Sequence, residues 1–89
     1  MMEDYKIIKA TTLTEEEQVL YSHSSGAIIK TVILQSTNPN TTKATLLFDG
    51  VAFNFELGSD VTKFEGPLMT KNLKGTGDGV NIHITGLQL

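Results

Sequence analysis

Apolar and polar residues alternate along much of this chain in runs of strand length. The clearest example is LLFDGVAFNFEL, in which Asp49 and Gly50 separate two alternating segments. An Asp-Gly pair is a preferred sequence for a two-residue type I′ turn, because both positions must adopt positive φ. The sequence therefore predicts a β-hairpin with its turn at Asp49-Gly50.

The turn also fixes how the two predicted strands pair. Counting outward from it places one set of side chains on a single apolar face: Ala44, Leu46, Phe48, Val51, Phe53 and Phe55. The opposite face ends with Lys43 across from Glu56, and cross-strand pairs of opposite charge stabilise a hairpin. The pattern thus agrees with the turn sequence, and it predicts that the three phenylalanines lie in the core.

The segment AIIKTVILQST predicts a different kind of strand. Strict alternation puts Ile28, Val32 and Leu34 on one face. It puts Ile29 and Ile33 on the other face, which is therefore also apolar. A strand with two apolar faces lies at the centre of a sheet or is covered by something on its second face.

Another copy of the chain is the expected cover, because the sequence has few helix signals. A domain of this size buries only about 60–65% of the surface that its unfolded chain exposes, and small β domains often gain stability by oligomerising. The candidate oligomer-interface residues are Ile29, Ile33 and Leu47.

The C-terminal run GVNIHITGLQL alternates as a strand with one buried face. Its inward positions are Val80, Ile82 and Ile84. Beyond Gly86 the phase changes, so that Leu87 and Leu89 fall on the outward face. A one-residue bulge at Gly86 would return both leucines to the core, and the sequence predicts that bulge.

The remaining strand signals are weaker, and they bring the total to seven or eight. Extended segments are expected over residues 5–13, 18–22, 61–64 and 68–70. Ser24–Gly26 is expected to form a turn before the long apolar strand, and Gly66-Pro67 is expected to separate two short strands. Threonine, isoleucine and valine dominate these runs, which is typical of an all-β, antiparallel fold.

The whole chain, residues 1–89, is expected to form one domain, because a second core would have too little sequence to build it. Residues 1–16 are expected to be an N-terminal strand or a docking arm. Thr14 and Glu17 have the spacing of a capping box, which leaves a single helical turn as an alternative there.

Composition excludes several classes of function. The chain has no cysteine, which excludes disulfides, thiol nucleophiles and cysteine-type zinc sites. Its net charge is −3, and all seven basic residues are lysine. The absence of arginine argues against nucleic-acid binding. The sequence has no apolar run long enough to span a membrane and no signal-peptide pattern at its start, so we expect no membrane insertion and synthesis in a cytoplasm.

The segment GTGDG, residues 75–79, raises the question of a phosphate-binding loop. Such loops place a helix N-terminus after their glycines, because that helix supplies the amides that hold phosphate. Here a strand follows the glycines, and no P-loop lysine is present. The sequence therefore predicts a turn between two strands.

No constellation of residues predicts catalysis. His23 and His83 show no HxH or HExxH spacing, so a metal site built on His83 is the weaker alternative to a surface or interface histidine. The acidic run Glu15–Glu17 lacks the spacing of a calcium loop. We expect a protein that is not an enzyme and that needs no cofactor or metal.

A binding surface is the remaining functional possibility. With the three hairpin phenylalanines assigned to the core, Tyr5, Tyr21 and Phe64 are the rings left for ligand contact. Tyr21 and Phe64 are the candidates among them. Together with the outward-facing His83, they form the candidate binding surface.

The order of motifs carries a resemblance to a known class of protein. The motifs are Leu20-Tyr21, a short loop ending at Gly26, a long apolar strand ending in STN, FDGVAFNF, Gly66-Pro67-Leu68 and GDGVNIHITGLQL. Over residues 18–89 the chain resembles the small all-β virion proteins of tailed bacteriophages and prophages. It departs from them at residues 22–26, where members commonly carry a Val-Pro pair before the glycine.

The resemblance implies a β-sandwich of jelly-roll type that assembles as a trimer or hexamer. It further implies a non-enzymatic structural protein of the virion, at the tail tip, the baseplate or the head surface, in contact with other phage structural proteins. The alternative is a module that binds carbohydrate or a host receptor, such as a host surface glycan, similar to the head domain of a phage adhesin.

Overall fold

A computed structural model of the chain describes residues 5–89, and six strands make up its regular structure. The strands are β1 (Lys6–Thr12), β2 (Gln18–Ser36), β3 (Lys43–Phe48), β4 (Val51–Glu56), β5 (Thr62–Thr76) and β6 (Val80–Gln88). They form one antiparallel sheet in the order β1-β6-β2-β5-β3-β4. The described residues include no helix, and hence none that could cross a membrane. The all-β, antiparallel prediction is confirmed.

The predicted number of strands was too high because two expected breaks are not chain reversals. β2 continues through Gly26, which adopts a φ of 83°, and β5 continues through Gly66-Pro67, which has a cis peptide bond. Both sites are irregularities within long strands. Two pairs of predicted strands therefore merge, and the jelly-roll sandwich of seven or eight strands is not confirmed.

The predicted hairpin is confirmed residue by residue. Asp49 and Gly50 have φ values of 54° and 85°, as a type I′ turn requires. The register pairs each residue of β3 with the predicted residue of β4. On the outer face, Lys43 Nζ lies 3.8 Å from Glu56 Oε1.

A bulge in β2 changes which apolar side chains face the core. Ile29 and Thr31 pair with the consecutive residues Gly86 and Thr85 of β6, so Lys30 is the extra residue in that ladder. In the ladder with β5 the extra residue lies in β5, where Gly66 and Pro67 face Lys30. As a result Ile29 joins Val32 and Leu34 on the buried face, whereas Ile28 and Ile33 lie on the outer face. The sequence-based assignment of Ile29 to the face of Ile33 is wrong, because it assumed an unbroken alternation.

Glycines flank this bulge on both neighbouring strands. A Cβ at Gly66 of β5 would overlap the carbonyl oxygen of Ile29, and a Cβ at Gly86 of β6 would overlap that of Ile28. The predicted bulge at Gly86 is wrong, since β6 itself is regular and the extra residue lies in β2. Consequently Leu87 is half-buried on the outer face and Leu89 is exposed.

The irregularities line up across the sheet. The register shift at Ile8 of β1 faces the step of β6 next to the one that the Lys30 bulge faces, and Gly66-Pro67 lies opposite Lys30 on β5. Bulged strands bend and twist more strongly than regular ones. We therefore describe these positions, Ile8, Lys30, Gly66, Pro67 and Gly86, as the bend line of the sheet.

The two ends of the long β2–β5 ribbon carry different neighbours. β6 pairs with β2 over Ala27–Ser36, and β3 pairs with β5 over Leu73–Thr76. Both parts nevertheless contribute to one buried cluster. Phe55 of β4 and Phe64 of β5 show that the parts meet, since their ring centroids are 6.1 Å apart in an edge-to-face arrangement.

The N-terminal segment is partly described. β1 forms an edge of the sheet against β6, while the part of the predicted strand or arm that precedes Tyr5 lies outside the described residues. No helical turn forms after β1. The hydroxyl of Thr14 instead accepts a hydrogen bond from the N–H of Glu16 at 3.2 Å, within a bend.

The bend line predicts an unusual sensitivity to a single methyl group. We expect Gly66→Ala and Gly86→Ala each to lower the free energy of unfolding by about 2–3 kcal/mol, because an added Cβ must displace the backbone of β2. Gly58→Ala is the matched control, since a Cβ there meets no atom within 4 Å. Urea denaturation measures all three, and equal stability of the three variants would contradict the close approach at the bend line.

Candidate functional site

An apolar cleft opens between the hairpin and the first half of β5. Its volume is about 330 Å³. Its lining residues are Phe48, Phe53, Asn54, Phe55, Phe64 and Leu68. The ring of Phe53 also contacts that of Phe48, with centroids 5.9 Å apart. All four phenylalanines of the chain are thus gathered at one opening.

The cleft lies at the edge of the sheet, where β4 is the last strand. Phe48 is buried, and Phe55 is half-buried, but Phe53 is 51% exposed. The prediction that all three lie in the core is therefore wrong for Phe53. The hairpin register places Phe53 on the apolar face, as predicted. Its ring is nevertheless exposed, because β4 is an edge strand.

The turn that positions β4 is anchored to the neighbouring strand by Asp49. Its carboxylate oxygen Oδ1 accepts hydrogen bonds from the N–H of Lys71 at 2.8 Å and from the N–H of Asn72 at 3.0 Å. The N–H of Asp49 donates in return to the carbonyl oxygen of Asn72 at 2.7 Å. The hydrogen bonds that the Asp49 carboxylate accepts from these backbone N–H groups lower the pKa of Asp49, and the bond from Lys71 has the largest effect.

The chemistry of the cleft favours apolar side chains as its occupants. Asn54 is the polar residue among its lining residues, and the Asn54 side chain already accepts a hydrogen bond from Thr45 Oγ1 at 2.7 Å. Sugar recognition requires several hydrogen-bonding groups beside an aromatic ring, because a sugar loses its hydrogen bonds to water on binding. The cleft offers rings without that set of polar groups.

The three predicted binding residues do not form one surface. Phe64 lines the cleft, on the face of the sheet that Val32 shares. His83 lies on the opposite face beside Ile33, with its Nδ1 3.5 Å from the hydroxyl of Thr85. Tyr21 packs against the core, and its hydroxyl donates to the carbonyl oxygen of Gly26 at 2.8 Å.

The three predicted interface residues are also separated. Ile29 lies fully buried in the core and offers no surface to another chain. Ile33 lies on the outer face and is 37% exposed. Leu47 lies half-buried on β3, beside Lys74 of β5. Their participation in an interface stays a prediction for Ile33 and Leu47.

The glycine-rich segment forms the predicted turn between β5 and β6. Two of its glycine N–H groups are already hydrogen-bonded: Gly77 donates to the carbonyl oxygen of Thr14 at 2.8 Å, and Gly79 donates to that of Leu13 at 3.1 Å. Asp78 accepts a hydrogen bond from the side chain of Asn38 at 3.1 Å. The turn joins the β1–β2 connection to the start of β6.

Within residues 5–89, no group of three or more histidine, cysteine, aspartate or glutamate side chains is placed to hold a metal ion. His23 is exposed where β2 loops out, and its Nδ1 accepts a hydrogen bond from the N–H of Ser25 at 3.1 Å.

Comparisons with protein-family models, curated proteins and solved structures found no match for this chain. The resemblance to phage virion proteins therefore stays a prediction drawn from the sequence.

Sequence reasoning missed the cleft, although a signal for it was present. Phe53 and Phe55 occupy alternate positions of a short hairpin strand, and a strand of that length at the edge of a small sheet cannot cover two large rings. Leu68, which follows Gly66-Pro67, completes the lining and carried no local signal.

The anchoring role of Asp49 predicts a pH-dependent contribution to stability. We expect Asp49→Gly, which preserves positive φ, to lower the free energy of unfolding at neutral pH by about 1–2 kcal/mol. Asp49→Asn keeps a carbonyl acceptor and should cost less. Because folding lowers this pKa, the contribution is complete above the ordinary value of 3.8 and is lost as the pH falls through the lowered value.

Urea denaturation at a series of pH values tests this expectation. The stability difference between wild type and Asp49→Gly should narrow below pH 3.8. Ser59→Gly, at an exposed uncharged residue in the loop before β5, is the control and should show no such narrowing. A difference that stays constant at acid pH would contradict the role assigned to the Asp49 carboxylate.

Proposed function

We propose that this protein is a non-enzymatic structural component of a tailed-bacteriophage or prophage particle and that it acts by self-association. The order of its motifs resembles that of small virion proteins, which supports a place in the phage particle. The apolar surface that remains exposed after folding supports self-association.

The observation that carries the proposal is an apolar row on the outer face of the sheet. Met69 of β5, Ile28 of β2 and Leu87 of β6 are direct cross-strand neighbours in that row. Met69 is 60% exposed, and the other two are half-buried. Contiguous apolar surface on a folded domain marks an interaction site more often than scattered apolar residues do.

The proposal extends to the form of the assembly. It includes a symmetric trimer or hexamer located at the tail tip, baseplate or head surface of the virion, with other structural proteins as neighbours. We also propose that the bent sheet forms two layers, as in a jelly-roll sandwich. The contact between Phe55 and Phe64, across the two ends of the ribbon, supports two layers.

A receptor- or glycan-binding module is the alternative, and the site favours it less. Its candidate residues, Tyr21, Phe64 and His83, lie apart, and the hydroxyl of Tyr21 is engaged by Gly26. Binding to a glycan array that is lost in Phe64→Ala, with the fold intact, would reverse this preference.

Self-association predicts the molar mass in solution. Size-exclusion chromatography with light scattering should give a multiple of the 9.7 kDa chain mass that persists at micromolar concentration. Particles purified from the organism that encodes the chain should contain the protein when analysed by mass spectrometry. A monomer at all concentrations, absent from such particles, would contradict the proposal.

A further inference from the structure

Strand edges are the surfaces through which β proteins pair with other chains. Their unpaired N–H and C=O groups accept another strand, and folded proteins usually protect them with lysines, prolines, bulges or short length. In residues 5–89, four edges lack a neighbouring strand: β1, the first part of β2, the first half of β5, and β4.

Three of these edges carry such protection. β1, KIIKATT, has two exposed lysines and a register shift at Ile8. The first part of β2 is short and ends where the strand loops out before Ala27. The first half of β5 contains Pro67, which has no N–H to donate, and an exposed ion pair in which Lys63 Nζ and Glu65 Oε1 are 2.9 Å apart.

β4 is six residues long and lacks the other protections. Its sequence, VAFNFE, has no lysine and no proline, and its pairing with β3 is regular throughout. Its one charged residue, Glu56, lies at its end and faces Lys43. Two of its apolar side chains are more than half exposed, those of Val51 and Phe53.

The hairpin geometry identifies the backbone groups that β4 offers. In a two-residue hairpin the residues next to the turn form a hydrogen-bonded pair, and such pairs then alternate along the ladder. Val51, Phe53 and Phe55 therefore bond to β3. The N–H and C=O groups of Ala52, Asn54 and Glu56 point away from the sheet.

We propose that β4 pairs with β4 of a second copy of this chain, antiparallel, across a two-fold axis at Asn54. This inference rests on the proposed self-association and identifies one contact through which two copies of the chain associate. Asn54 lies opposite its own symmetry mate, and Ala52 lies opposite Glu56 of the second copy.

Backbone complementarity favours a second copy as the occupant. In this register the three outward residues of each chain face one another and exchange about six hydrogen bonds. Glu56 meets an alanine rather than another glutamate, so no like charges are opposed. Phe53 of one copy lies beside Phe55 of the other on the cleft face, which covers the most exposed ring of the hairpin.

The side chain of Asn54 suits a position on the axis. Its Oδ1 accepts a hydrogen bond from Thr45 Oγ1 at 2.7 Å, and its amide group retains donors for the second copy. Opposed asparagines form hydrogen-bonded ladders between strands in other β assemblies.

A two-fold contact restricts the assembly to an even number of chains. In a hexamer it would join two trimers, and the outer row of Met69, Ile28 and Leu87 would remain for the contact within each trimer. The β4 contact by itself would give a dimer.

The molar mass separates this inference from the proposed function. An even-numbered assembly in light scattering is the expected result. A trimer would overturn the β4 contact while leaving self-association intact, and a monomer would overturn both.

A proline at the edge tests the contact directly. Ala52→Pro removes an outward donor from each copy, at an exposed position where a folded edge strand tolerates proline. We expect the dissociation constant of the two-fold contact to rise about tenfold or more in sedimentation experiments. At concentrations where wild type is assembled and the variant has dissociated at this contact, the variant should have half the wild-type mass. Ala52→Ser keeps the donor and should stay within about twofold of wild type. Equal association of the two variants would overturn the proposal.

A cysteine pair tests the register and does not depend on how the proline variant folds. Asn54→Cys places two thiols at a hydrogen-bonded pair about 5.5 Å apart between Cα atoms, which suits a disulfide. The chain has no other cysteine. Mild oxidation at micromolar concentration should convert most of this variant to a covalent dimer.

Asn81→Cys on β6 is the matched control. Asn81 is exposed and accepts a hydrogen bond from the hydroxyl of Thr12 at 2.7 Å, the arrangement that Asn54 has with Thr45. It should cross-link at least about tenfold more slowly, because it lies away from the axis. Equal rates for the two variants would overturn the register.

Discussion

The fold depends on the close approach of three backbones at the bend line. Beside Lys30, which is an extra residue relative to β6, the carbonyl oxygen of Ile28 closely approaches β6 and that of Ile29 closely approaches β5. Those strands present Gly86 and Gly66 at the points of contact, where no side chain fits. Because bulges bend the strands that carry them, the sheet can bring both ends of the β2–β5 ribbon to one core.

The bend also determines which surfaces are left for other molecules. It moves Ile29 into the core and leaves Ile28 on the outer face, so one apolar row is buried and another is exposed. It lets β5 pair with β3 only near its C-terminal end, so that the cleft opens between β4 and the first half of β5. β4 remains an edge strand with exposed apolar and aromatic side chains, which supports the proposal of a protein that works by assembly.

The sequence predicted the features whose causes are local. Asp49-Gly50 specifies its turn within four residues, and the register of the hairpin follows from that turn. The bulge at Lys30 has no comparable signal, because it is set by glycines on two other strands that are distant in sequence. The same limit explains the errors at Gly26 and Gly66, where a glycine that permits an irregular strand looks like one that ends it. For the site, the sequence left Phe64 as a candidate binding ring, and the structure places it in the lining of the cleft, while its role in binding stays a prediction. The exposure of Phe53 depends on the strand order and could not be read from the hairpin.

Amide hydrogen exchange, followed by NMR at two protein concentrations, tests the central claim that β4 is an open edge that pairs with itself. The account predicts that the amides of Val51, Phe53 and Phe55 are protected at both concentrations. Those of Ala52, Asn54 and Glu56 should exchange freely in dilute solution and become protected as the concentration rises. Protection of the second set in dilute monomer, or free exchange of that set in a concentrated assembly, would contradict the account.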